Sequence, residues 1–130
     1  MGRQVQQACK RCRKNGGVVK DLQWTEWTKE GLVALNDVQI TDGGYNYLDV
    51  GGVKLVLLSI SIKITGDVKT SSVVVSLPDV ITPRSMYMGS LGGQNQFQIL
   101  GNKITIFDAA GSTERQLNGN TFVLTKLYIA

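Results

Sequence analysis

The chain has no histidine. That removes the commonest general base, the usual catalytic triads and the usual zinc enzymes. Serines and acids are present, but none sits in a recognised catalytic motif, so the expectation is a protein that is not an enzyme. Asp42, Asp49 and Asp67 fall at turns and strand ends, where turn chemistry accounts for them. Cysteine is scarce too: Cys9 and Cys12 form a lone CxxC. A structural zinc site takes four N or S ligands, and no second pair follows. Neither metal nor cofactor is expected; a cross-link or a metal pooled between subunits is the competing reading of this pair.

Long apolar runs are also missing. A membrane helix needs about 18 apolar residues, and the best stretch, Val53 to Ile64, is broken by Lys54, Ser59, Ser61 and Lys63. No membrane insertion is expected. The N-terminus is basic and Gln-rich, without the apolar core of a secretion signal. The pairs Gly43-Gly44, Gly51-Gly52 and Gly92-Gly93 lack the Gly-Lys-Ser/Thr step of a phosphate loop. They suit positive-φ turns and bulges instead.

What is present is glycine, 15 residues of it, against only 2 prolines. With 130 residues the chain fits one domain and can bury a core without staples. Its formal charge of +4 is uneven. Residues 1–20 hold Arg3, Lys10, Arg11, Arg13, Lys14 and Lys20 and no acid; the rest carries 8 bases against 10 acids. Basicity therefore belongs to an N-terminal arm, residues 1–17, set before a domain of residues 18–130.

Arg3 to Lys14 reads as a short helix. Val5, Ala8, Cys9 and Cys12 share one face, with Arg11, Arg13 and Lys14 at the C-terminal end and Asn15-Gly16-Gly17 as the stop. Such a helix is marginal alone. The stripe suits packing against copies of itself, which makes these four residues a candidate oligomer stem. Beyond it the period alternates. Strands are expected at about 31–40, 45–50, 53–65, 68–77, 85–91, 95–100, 103–108 and 121–129. Val53–Thr65 and Val68–Leu77 read as a hairpin closed by Thr65-Gly66-Asp67, and a second hairpin turns at Gly101-Asn102. The fold class is mainly β: an antiparallel β-sandwich or jelly roll with a short N-terminal helix.

From Val53 onward the order of motifs resembles the C-terminal head domains of tailed-phage tail-fibre and baseplate proteins. The residues carrying it are the hairpin around Thr65-Gly66-Asp67, Ser76-Leu77-Pro78, Thr82-Pro83-Arg84-Ser85, Phe97-Gln98-Ile99, Ile104-Thr105-Ile106 and Thr121-Phe122-Val123. Val80-Ile81 stands where a Gly-Tyr step is usual, and the turn before Ile104 is Gly101-Asn102-Lys103. The resemblance implies a homotrimeric β-sandwich head in the virion, at the tail tip or baseplate, made in the host cytoplasm. Its partners would be host-surface carbohydrate and other tail or baseplate proteins.

For such a head the candidate ligand groups are Trp24, Trp27, Tyr45, Asn46, Tyr47, Asp49, Tyr87, Gln94, Asn95 and Gln96, from their loop positions and chemistry. Trp24 and Trp27 also fit a core plug or a subunit contact. Two other readings compete. One is a structural virion subunit without a ligand, whose sign is a large apolar subunit interface and no polar, aromatic-lined pocket. The other is a coat-like protein holding nucleic acid with the basic arm; no aromatics interleave with the arm's bases, so nucleic acid is the less favoured partner.

Overall fold

In the computed structural model, residues 22–111 and 114–130 are described. The expected helix, its stem residues Val5, Ala8, Cys9 and Cys12, and the boundary at 17/18 lie outside them. Among the described residues, eight strands run in chain order: β1 (Val33–Ala34), β2 (Val38–Val50), β3 (Val53–Ile64), β4 (Ser72–Ser76), β5 (Tyr87–Gly92), β6 (Asn95–Leu100), β7 (Lys103–Asp108) and β8 (Thr121–Ile129). They form two antiparallel sheets, ordered β1-β4-β7-β6-β5 and β2-β3-β8. One core lies between them, so the fold is mainly β and sandwich-like.

Alternation fixes which side of each strand meets that core. In β3, Val56, Leu58, Ile60, Ile62 and Ile64 are buried, while Ser59, Ser61 and Lys63 face out. Phe122, Leu124 and Tyr128 of β8 continue the same inner face. Phe97, Ile99, Ile104 and Ile106 line the opposing sheet. Val74 and Val75 are adjacent yet both buried, because a register shift in β4 lets two neighbours turn inward.

The β6–β7 hairpin turns at Gly101-Asn102, with Leu100 opposite Lys103, as the residues predict. The other expected hairpin is corrected. β3 pairs with β2 and β8, whereas β4 pairs with β1 and β7, so Thr65-Gly66-Asp67 carries the chain from one sheet to the other. The segment is held by the Thr65 N–H donating to the Asp37 carbonyl at 2.8 Å. An apolar alternating strand satisfies either sheet, and a tight turn does not state which one follows. This hairpin was also the first motif of the family resemblance.

The strand expected over 31–40 is likewise two pieces. Asn36, at φ 57, breaks it after β1, and Val38 begins β2. β2 then runs unbroken through Gly43-Gly44, where one strand was expected to end and another to begin. The register shifts between Ile40 and Asp42, and Gly43 follows at φ 93. A Cβ there would sit 2.1 Å from the Ser59 carbonyl oxygen. Glycine therefore permits a bulge rather than a stop.

Candidate functional site

The structure disperses the predicted ligand residues. Tyr45 lies in the core, and its hydroxyl donates to the Glu30 carbonyl at 2.8 Å. Burial, with Glu30 nearby, raises its pKa. Tyr87 is a joint between sheets. Its hydroxyl accepts from the Ile129 N–H at 3.3 Å, and its ring lies 5.5 Å from that of Tyr128. Asp49 closes the β2–β3 turn, its Oδ1 accepting from the Gly52 N–H at 2.9 Å. Tyr47 is half-buried under the Lys54 ammonium, 5.8 Å from the ring centroid.

Gln94, Asn95 and Gln96 sit at the β5–β6 turn, away from the β2 group, and Tyr87 stands at the hairpin's other end. Asn95 Oδ1 accepts from Arg115, whose Nε also donates to Asp108 Oδ2 at 2.7 Å. The second Asp108 oxygen accepts from the Ala110 N–H at 2.8 Å. This network ties Arg115 to the β6–β7 hairpin. Gln96 lies within β6, opposite Ser90 and Phe107.

The Arg115 hydrogen bond, then the Ala110 N–H, holds the Asp108 carboxyl below its ordinary range. The fold thus favours the ionised form. Its stabilisation is complete above the unfolded value near pH 4 and is lost as pH falls through the lower folded value. Asp108→Asn is expected to flatten the acid limb of a stability-against-pH curve, read by urea midpoints, while changing little in the fold.

Trp24 and Trp27 stay together on one segment. Residues 24–28 run antiparallel to β2, with the Thr28 N–H donating to the Tyr45 carbonyl at 3.0 Å and the Thr25 N–H to that of Tyr47 at 2.9 Å. Gly44 allows this: a Cβ would lie 2.2 Å from the Thr28 carbonyl oxygen. Asn46 Nδ2 reaches the Thr25 carbonyl at 3.4 Å, and its buried Oδ1 has no partner among the described residues. Neither tryptophan plugs the core; they are 44% and 47% exposed.

Trp24 stands opposite Leu48, Leu48 opposite Leu55, and Leu55 opposite Ile129. Directly opposed residues share a face, and this face is the outward one, since Val56 and Tyr128 beside them point into the core. The next row is Asn46, Leu57 and Leu127, and Val50 faces Val53 at the turn. The small sheet therefore turns a continuous apolar surface away from the core. Apart from Trp24 and Asn46, these residues were missed as a site. Their signal is in β3, where apolar residues run without a break from Leu55 to Leu58 before strict alternation begins.

A cleft of about 350 Å³ is lined by Lys29, Leu32, Ala34 and Ile40, without an acid or a nucleophile. Among the described residues there is no group of three or more potential metal ligands, and no helix is long and apolar enough to cross a membrane. No family model, curated protein or solved structure matches the chain.

Proposed function

We propose that the chain is a non-enzymatic assembly module, a structural subunit of a larger particle. The observation that carries this reading is the open apolar face of the β2-β3-β8 sheet, with Trp24 at its margin. Contiguous apolar surface of this kind marks protein contact sites. Four of the candidate polar groups, Tyr45, Tyr87, Asp49 and Asn95, have internal partners instead. A virion or baseplate building block, the setting implied by the resemblance, fits that role. Light scattering behind size exclusion on the full chain tests it. The expected mass is a multiple of 14.2 kDa; a persistent monomer would contradict it.

The half-exposed Trp24 and Trp27 favour a second reading, a receptor-binding head that stacks a sugar ring on an aromatic shelf. A glycan screen with the Trp27→Ala variant separates the two. Saccharide binding that this variant abolishes would move the function to the head reading; the assembly reading predicts none.

A further inference from the structure

We infer that the occupant of the outward β2-β3-β8 face is a second copy of this chain, packed sheet against sheet. The inference rests on the assembly reading and names its partner and surface. The face is most open along β8, where Val123, Leu127 and Ile129 are 63%, 54% and 49% exposed. β8 is also the edge of its sheet. Around these lie Leu48, Leu55, Leu57, Val50 and Val53 in register.

Size and charge both point to a copy of the same surface. With Trp24, the patch offers on the order of 600 Å² of apolar area, the upper end of what a monomer leaves open. It supplies most of the ~800 Å² per partner that a standard interface buries. The two rows carry no ionisable side chain; on the same face Asp42 lies opposite Ser61 and Val123, beyond the Ser59–Thr125 pair, and Lys63 stands further along β3. Along these two rows copies meet without like-charge repulsion, and nothing in the rows selects a charged partner. Stacked sheets pack about 10 Å apart through interdigitated aliphatic side chains, which Leu, Ile and Val rows supply to one another.

The other outward face behaves differently. There the cross-strand rows Val33-Ser76-Lys103-Leu100, Val73-Thr105-Gln98-Met88 and Phe107-Gln96-Ser90 each mix apolar with polar residues, the pattern of a solvated sheet. One face is built for water and the other for a partner. A face meeting its own copy closes as a two-fold pair, so the expected species is a dimer, not the homotrimer implied by the resemblance.

Sedimentation equilibrium on the full chain tests this with three variants, each checked by circular dichroism and thermal melting. Leu127→Lys and Ile129→Gln change exposed positions and should leave the fold intact. Leu127→Lys is expected to raise the dimer dissociation constant about a hundredfold or more, since it buries an unpaired ammonium in an apolar contact. Ile129→Gln should weaken it less, and Leu100→Lys, on the polar face, not at all. An oligomer that survives Leu127→Lys and Ile129→Gln would leave assembly standing and overturn this surface. Dissociation by Leu100→Lys, or a wild-type trimer, would overturn it as well. A wild-type monomer at every concentration would overturn both this inference and the assembly reading.

Discussion

Gly43→Ala is expected to lower stability by at least about 3 kcal/mol, with a melting temperature about 10 °C or more lower. Two effects add. The backbone at Gly43 has φ 93, a conformation that L side chains adopt at a cost of order 1–3 kcal/mol. The new methyl would also stand 2.1 Å from the Ser59 carbonyl oxygen and 2.8 Å from the Ile60 Cα, both backbone atoms of the central strand β3. Neither moves without disturbing the ladder to β8. Gly52→Ala provides the contrast. Gly52 has nearly the same φ, 92, but open space around it. Only the conformational cost remains there, about 1–2 kcal/mol. Urea unfolding of the two variants, at matched m-values, isolates the clash. Equal losses would mean that the bulge at Gly43 relaxes and that β2 is held to β3 less tightly than its register implies.

Tyr128→Ala is expected to cost about 3–5 kcal/mol, the range for emptying a large aromatic from a core. Tyr128 is among the largest fully buried side chains, and it joins layers. From β8 its ring meets Tyr87 of the other sheet, and its hydroxyl donates to the Ile81 carbonyl at 2.6 Å. Ile81 ends the 3-10 turn Asp79–Ile81 that leads from β4 toward β5. Tyr128→Phe keeps the ring and orphans that carbonyl, so about 1–3 kcal/mol is expected for it alone. Burial raises the Tyr128 pKa well above its ordinary value, with Tyr45 and Tyr87 adding to the effect. The fold therefore favours the neutral phenol. Its stabilisation is whole below the unfolded value near pH 10 and is lost as pH rises toward the folded one. An alkaline stability limb that Tyr128→Phe flattens would confirm the assignment. An unchanged limb would show that another group controls it.

The sequence expressed strand content more clearly than strand partnership. Ile60, Ile62 and Ile64 alternate with Ser59, Ser61 and Lys63, and that half of β3 was legible. So was the β6–β7 hairpin, because Gly101-Asn102 fixes a local pairing. Thr65-Gly66-Asp67 misled because which sheet receives the next strand depends on residues far along the chain: Val33, Ala34 and Lys103 to Ile106 flank β4. Gly43-Gly44 misled because a bulge and a turn use glycine for the same reason.

Polar partners were equally hidden. Nothing local ties the Tyr45 hydroxyl to the Glu30 carbonyl or Asn95 to Arg115. Some residues offered as ligand groups, Tyr45 and Asn95 among them, therefore turn out to have partners within the fold. The outward apolar face was half legible. Leu55 and Leu57 of β3, and Leu127 and Ile129 of β8, fell in expected strands, but a surface awaiting a partner has the composition of an interior, so the pattern did not say which they face.

The central claim is that this face is covered when the protein works. Trp24 reports on it, since it opens the row that ends at Ile129 and the chain has no tryptophan besides Trp27. In a Trp27→Phe chain, Trp24 emission is followed from nanomolar to high-micromolar concentration. The account predicts a shift to the blue that tracks dimer formation and disappears with Leu127→Lys. Emission that stays that of a solvated indole while the mass rises would show that the chains meet elsewhere, and would contradict it.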